Sequence, residues 1–576
     1  MTRLVNDPAR FAEEALAGFV SAHPDDVQAV HGGVVRASAT PPGQVATVLG
    51  GGTGHYPAFA GWVGPGFAHG AACGNIFSSP SASQICSVAR AADHGGGVVF
   101  GFGNYAGDVL HFGQAAEQLR AEGIDVRIVA VTDDTASGPS GETGLRRGIA
   151  GDLPVLKILG AAAEAGHGLD RVHGAGVKAN GATRSLGLAF DGCTLPGDTR
   201  PLFTVPHGTM GVGLGIHGEP GIEQRGLVSA DEVADLLVDG VLAERAQAAE
   251  AVGGSDQVAV VLNGLGATKY EELYVVHRRV AERLAAEGLT AVAPVVDEQV
   301  TSLGMAGLSL TLTFLDEELE RLWTAPAVTP AFRRGHLPAR PRRTDDLATA
   351  RRAPDVVPGD EGSRALGTRI AAALRTVHET VAAHERRLGE IDAVAGDGDH
   401  GIGMRRGASA AVAAADGAVT AGAGARTVLA HAGAAWSEHA GGTSGALWGA
   451  ALTAFGSELG DSGGASARRI AAGVRAAVGS VVRLGGARPG DKTLVDAAAP
   501  FADRLDAALD EFPPAEAWAE AVVTARDAAE ATASIPARIG RARAHGDNSV
   551  GTPDAGAVSL SLVLTALTPH LEQEDR

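Results

Sequence analysis

The sequence predicts an α/β fold in two parts followed by an all-α domain, on three observations. Short apolar runs alternate with helical stretches between Gln44 and about Gly166. A second alternation runs from Gln257 to Phe314, and after Ser363 the composition turns to long Ala-rich helical runs with almost no strand-like segment. A chain of 576 residues exceeds what one hydrophobic core supports, so two or three domains are expected.

In the first part VATVL (45–49), VVFGF (98–102) and VRIVAV (126–131) read as buried strands. Each precedes a Gly- or Asp-bearing loop and an Ala-rich helical pattern, the mark of βα units on a mostly parallel sheet. Ligands of such sheets gather at the carboxyl ends of the strands, where GGGTGH, GNYAGD and TDDTASG fall. In the second part QVAVVL (257–262) reads as a strand leading through NGLGAT into an amphipathic helix from about Lys269. LSLTLTF (308–314) alternates apolar and polar residues and reads as a half-buried strand. Between Ala325 and Gly362 the pattern collapses into a Pro- and Arg-rich segment containing RRGHLPARPRRTDD, which reads as a solvated linker. TRIAAALRTVHETVAAHERRL, ARTVLAHAGAAWSEHA and ARRIAAGVRAAVGSVVRL are helical patterns of the final domain. The expected boundaries are 1–335, with a split near 180, a linker over 336–362, and an all-α domain over 363–576.

A formal net charge of −20 argues against a nucleic-acid-binding surface. No apolar run approaches the length needed to cross a bilayer, and MTRLVNDPARFAEEAL lacks the apolar core of a signal peptide. Cys73, Cys86 and Cys193 form no metal-type spacing and no even set, so a reducing cytoplasm is expected. The 81 glycines cluster in GGGTGH, HGGGVVFGFGN and GVGLGIHGEPG, the pattern of backbone that approaches a ligand or takes positive φ.

The first helix of the last domain gives way to EIDAVAGDGDHG, which packs Asp392, Asp397 and Asp399 into eight residues. Like charges this close repel unless a cation neutralises them, and hard oxygen ligands on glycine spacers suit Mg²⁺. An acidic, solvated turn is the competing reading of a DGD sequence taken alone. GGTSG (441–445) precedes an apolar helical run, so its amides and the Thr443 and Ser444 hydroxyls suit a phosphate at a helix N-terminus. GGARPGDKTLVDA (485–497), with Lys492, and GRARAHGDNSVGTPDAGA (540–557), with Arg541, add two further glycine loops. Such loops between helices point to one end of a bundle built around a nucleotide. No GxxxxGK[ST] motif occurs, so this is not a P-loop.

In GVGLGIHGEPG, His217 follows a glycine-interrupted apolar run. Taken alone, such a histidine is more often structural than catalytic. His55 follows a strand and a triple glycine, and Asp108 falls in the next strand-end loop. An imidazole can add to a ketone and hold it covalently, and a second His and an Asp can serve a hydroxyl as acid and base. Asp108 is equally placed to be only the N-cap of the following helix.

NDPARF, GGGTGHYPAFAGWVGPGF, NIFSSPSA, GNYAGD, RRGIAGDLPVLKILGAAAEAG and GLGIHGEPG together resemble the substrate domain of dihydroxyacetone kinases. AGDGDHGIGM, GGTSGALWG, GARPGDKTLVDAA and GTPDAGA resemble their nucleotide domain, in order and across nearly the whole chain. The resemblance implies a ketose held as a hemiaminal on His217, with Gly52, Thr53, His55 and Asp108 around it. It implies a helical barrel binding ATP through Mg²⁺ on Asp392, Asp397 and Asp399. Asp399, His400, Gly401, Thr443, Ser444, Gly486, Thr493, Arg541, Asp554 and Gly556 would then line the nucleotide. It implies a homodimer, with a small ketose and neither nucleic acid nor membrane as partner.

Some positions depart from that family's pattern: Tyr56 replaces an acidic residue beside His55, Gly103 replaces a lysine, and Phe59 stands where a His is common. RAHGDN (543–548) replaces a familiar SYLGER. Loss of the long cation at position 103 should open volume, which suits erythrulose ahead of dihydroxyacetone. The alternatives are a dihydroxyacetone kinase proper, with or without FAD-cyclising lyase activity, and a non-catalytic sugar-sensing protein.

Overall fold

The computed structural model describes residues 4–338, 340–350, 355–396, 398–540, 542–543, 546 and 549–572. It divides into two compact units, Met1–Arg352 and Ala353–Arg576.

The first unit opens with α1 (Phe11–Ala22), then β1 (Val27–Val30), β2 (Gly33–Arg36), β3 (Ala46–Thr53) and β4 (Gly70–Ile76). α2 (Ala82–Ala92), β5 (Val98–Gly103), α3 (Ala106–Ala121), β6 (Val126–Val131), α4 (Asp152–Glu164) and α5 (Leu169–Gly181) follow. The six strands lie in the order β1-β2-β4-β3-β5-β6. β3 pairs in parallel with β4 and β5, and β5 with β6, so the predicted parallel arrangement is present there. β1 and β2 add an antiparallel edge.

A second six-stranded sheet contains β7 (Thr183–Ala189), β8 (Thr209–Val212) and β9 (Glu223–Gly226), then α6 (Ala230–Leu242) and α7 (Arg245–Glu250). β10 (Gln257–Gly264), α8 (Tyr270–Ala286), β11 (Thr290–Asp297), β12 (Gly307–Phe314) and α9 (Glu317–Thr324) complete it. Its order is β11-β10-β12-β7-β8-β9, and only the β10–β11 pair is parallel. β12 corrects the expectation of a half-buried strand, for every residue from Gly307 to Phe314 is buried. Its polar face is covered because hydroxyls pair across the ladder: Ser185 Oγ lies 2.6 Å from Thr311 Oγ1, and Thr183 Oγ1 lies 2.8 Å from Thr313 Oγ1. Paired hydroxyls are buried at little cost.

The Arg-rich segment is not simply solvated. Arg340 pairs with the partly buried Glu164, which also takes Arg36 at 3.0 Å. Arg343 donates to the Ala91 carbonyl at 2.6 Å, and Ala350 is buried on the first unit.

The second unit is all helical: α10 (Glu361–Asp392), α11 (His400–Thr420), α12 (Ala425–Ala440) and α13 (Gly442–Leu459) come first. α14 (Ala467–Gly485), α15 (Val495–Ala508), α16 (Pro514–Ala531) and α17 (Ala555–Glu572) follow. Each packs on the next and α17 returns to α10, which closes the ring as a helical barrel. Trp436 and Trp448 stack inside it with centroids 5.2 Å apart. Alternate connections in such an up-and-down ring share one end, so the loops after α10, α12, α14 and α16 meet there. No helix of the described residues is long and apolar enough to cross a membrane.

Candidate active site

In the first unit the ends of β3 and β5 and the turn between β8 and β9 meet. Gly52 is required at the end of β3, since a Cβ there would fall 2.7 Å from the Ser78 amide and 2.9 Å from Phe77. Thr53 Oγ1 donates to the Gly74 carbonyl at 2.6 Å, tying β3 to β4. Two residues on, His55 is 5% exposed and stacks on Phe77 with centroids 5.0 Å apart.

Hydrogen bonding orders the imidazoles. His55 Nδ1 lies 2.7 Å from the Thr301 carbonyl, which only accepts, so the Nδ1 proton is fixed there. His55 Nε2, 3.0 Å from His217 Nε2, is therefore the acceptor of that pair. His217 Nδ1 lies 3.0 Å from Glu219 Oε1, and the other carboxylate oxygen takes the His217 amide at 2.5 Å. Burial, and then the neighbouring His217, lower His55 to about 3, so it stays neutral. Burial pushes the Glu219 carboxyl up, but His217 and Arg147 outweigh it and hold Glu219 well below the usual range. Arg147 is anchored in turn by Asp134 at 2.8 Å and lies 3.8 Å from Glu219. Gly215 makes room for this chain, because a Cβ there would fall 2.1 Å from Glu219 Oε2.

Asp108 is buried in the first turn of α3, whose N-cap is Tyr105. The N-cap alternative for Asp108 is thereby overturned. Tyr105 turns its ring edge to His217 at 4.9 Å between centroids. Tyr56 points elsewhere, half exposed and edge-on to Phe19 at 5.8 Å. The volume expected at Gly103 is not open: a Cβ there would come 3.3 Å from the Gly148 carbonyl, 3.4 Å from Asp152 Oδ2 and 3.4 Å from Tyr105. The residues missed in the sequence are Glu219, Phe77, Tyr105 and Thr301. The first three lie inside recognisable motifs, whereas Thr301 acts through its backbone and leaves no side-chain signal.

In the second unit Asp392 ends α10, and its Oδ2 accepts from the amides of Gly398 at 2.9 Å and His400 at 3.4 Å. Asp399 starts α11 without capping it; burial, and then the Asp392 charge, raise its carboxyl to about 6. His400 is buried, with Nε2 2.9 Å from Ser559 Oγ and Nδ1 3.4 Å from Ser444 Oγ, and burial lowers its basicity. Gly401 lets α11 pass α10, since a Cβ there would meet the Glu385 carbonyl at 2.0 Å. Thr443 and Ser444 lie in the first turn of α13. Gly486 is the left-handed C-cap of α14, and Gly556 lies beside Asp554 in the first turn of α17. Asp554 Oδ1 accepts from the Ala557 amide at 2.7 Å, and burial pushes its carboxyl up to about 7. The Thr493 amide binds Asp496 Oδ2 at 2.7 Å.

Lys492 serves the loops themselves. Its ammonium donates to the carbonyls of Ile535 at 3.1 Å, Ser549 at 2.7 Å and Thr552 at 2.7 Å, stitching two loops together. A small cleft brings Asp392, Lys492 and Asp554 together. Asp397, Arg541 and most of RAHGDN lie outside the described residues. Among the described residues no group of three His, Cys, Asp or Glu side chains could hold a metal; Asp392 and Asp399 are the described members of the expected trio. Their hard oxygen donors, with Asp399 raised by burial and then by the charge of Asp392, fit a divalent cation.

A Dak1 domain matches residues 17–331 and a DAK2 domain residues 394–569. The chain is 58% identical to L-erythrulose 1-kinase of Mycolicibacterium smegmatis, over 99% of this chain and 100% of that protein. It is 54% identical to D-erythrulose kinase of the same organism, over 98% of this chain and 97% of the other. The solved dihydroxyacetone kinase of C. freundii, in complex with AMP-PNP and Mg²⁺, is 28% identical with a TM-score of 0.52, and 99% of each chain is covered. By both domains and by likeness along its whole length, the chain belongs to the dihydroxyacetone/erythrulose kinase family.

Proposed function

We propose that this chain transfers the γ-phosphoryl group of ATP to a terminal hydroxyl of a short ketose, with erythrulose preferred to dihydroxyacetone. The observation that carries the reading is the hydrogen-bonded chain His55–His217–Glu219 at the carboxyl end of the first sheet. The likeness to erythrulose kinases supports the choice of sugar.

His217 Nε2 adds to the ketone carbon and the Nε2 proton passes to the carbonyl oxygen, leaving a hemiaminal. Glu219 stays paired with Nδ1 and holds the ring in place. A polyol without a carbonyl has nothing to bond, so the adduct selects for ketoses. His55, kept neutral, relays the proton, and Asp108 takes the one released by the attacking hydroxyl. Gly52 and Thr53 shape the wall beside the sugar.

At the barrel end Asp392, Asp397 and Asp399 would hold Mg²⁺, which supplies charge neutralisation for the phosphates when bound. His400, Gly401, Thr443, Ser444, Gly486, Thr493, Arg541, Asp554 and Gly556 line the nucleotide in this reading. The family resemblance extends the proposal to a cytoplasmic homodimer.

Turnover of Mg²⁺-ATP on dihydroxyacetone, glyceraldehyde, D-erythrulose and L-erythrulose tests the reading. The highest kcat/KM is expected on an erythrulose enantiomer. A strong preference for dihydroxyacetone contradicts the choice of sugar, and no ketose turnover contradicts the activity.

A further inference from the structure

Two polar groups beside the sugar site have no part in the chemistry above. Asp152, in the first turn of α4, is 2% exposed, and its Oδ1 has no hydrogen-bond partner among the described residues. The phenolic oxygen of Tyr105 is likewise buried and without a partner among them. The two side chains flank the same glycine, since Asp152 Oδ2 and Tyr105 Cε2 each lie 3.4 Å from the position a Cβ would take on Gly103. The ring of Tyr105 also packs edge-on against His217. A phenol ring thus borders the imidazole there, with the Asp152 carboxyl beside Gly103.

Buried polar atoms are rarely left unpaired in native proteins, and two on side chains that flank one glycine call for a partner that arrives with a ligand. Burial, and then the charges of Asp133 and Asp108, push the Asp152 carboxyl well above the usual carboxylate range. In that neutral form it donates as well as accepts, and a phenol does the same. An alcohol hydroxyl, which both donates and accepts, satisfies such a pair. A three-carbon ketose bonded through its carbonyl carbon offers two identical hydroxymethyl arms. Its four-carbon homologue adds one secondary alcohol next to the carbonyl carbon, so that alcohol lies close to His217.

We propose that Tyr105 and Asp152 bind the secondary hydroxyl that distinguishes a four-carbon ketose from dihydroxyacetone, and so set the sugar preference. The assignment rests on the ketose-kinase reading of the same site. Asp152 could instead serve only the packing of the first turn of α4. That role alone would lower stability without changing which sugar is preferred.

The test is the ratio of kcat/KM for erythrulose to that for dihydroxyacetone, measured with Mg²⁺-ATP on the full chain. Tyr105→Phe and Asp152→Ala are each expected to lower this ratio by about tenfold or more, the scale of a lost buried hydrogen bond to substrate. Asp152→Asn keeps a donor and an acceptor and should hold the ratio nearer wild type than Asp152→Ala. A ratio unchanged in Tyr105→Phe and Asp152→Ala, with both sugars affected alike, overturns the assignment. Should Asp152→Ala not fold, Tyr105→Phe decides alone. A wild-type enzyme that turns over neither ketose overturns the parent reading, an outcome seen before any variant is made.

Discussion

At His217 the ring is fixed at both nitrogens, by Glu219 on one side and by His55 on the other. The sequence marked His217 as one histidine among 19, and nothing in its spacing separated it from a structural one. Family motifs identified it, and the geometry then added Glu219, which sits in the same GEPG turn. Glu219→Gln keeps the shape but removes the charge that faces both His217 and Arg147. A hydrogen bond to a charged group contributes about 1.5–3 kcal/mol, so kcat/KM for the ketose should fall about 10- to 100-fold. An unchanged kcat/KM would show that Glu219 does not orient the nucleophile.

At the scale of elements, the end of α9 shows how the first unit disposes of helix carbonyls. Lys157, fully buried on α4, donates to the Leu322 carbonyl at 3.1 Å, and Arg334 bonds the Trp323 carbonyl with its guanidinium 4.1 Å above the Trp323 ring. Burial, and then the neighbouring Arg334, push the Lys157 ammonium down to about 7. The unfolded side chain keeps its proton to about pH 10.4. Between those values the unfolded chain binds more protons, so this group makes stability rise with pH. Thermal melts of wild type and Lys157→Met should therefore diverge in favour of wild type as pH rises from 7 to 9. A gap independent of pH contradicts a neutralised lysine.

Elements were legible where one apolar run made one strand or helix, as in β3, β5, β6 and β10 and in α8 and α10. β9 (EQRG) is exposed throughout and bears no apolar signature, and in β11 a proline interrupts the apolar run. β12 was legible as a strand but not in its burial, because the partners of Thr311 and Thr313 lie more than a hundred residues away in β7. The role of Lys492 was not legible for the same reason: its carbonyl partners are distant in sequence.

For the whole molecule, the hydrophobic clusters divide cleanly among the described residues. Two lie within 27–350, and the others fall within 366–564. Each unit has its own core, so calorimetry should resolve two unfolding transitions. A ligand at a hundredfold its Kd stabilises its own domain by about 2.7 kcal/mol, worth several degrees. Mg²⁺-ATP should raise one transition and ketose the other. A single transition raised by both would mean that the two units unfold as one.

The central claim is that the ketose is held on His217 for phosphorylation, and ADP release by wild type and His217→Ala, with Mg²⁺-ATP and erythrulose, tests it most directly. Erythrulose-dependent release is expected in wild type, with a fall of about 10²-fold or more in the variant, the scale of losing a nucleophile that positions its substrate. Erythrulose-dependent release that persists at the wild-type rate in His217→Ala would contradict the account.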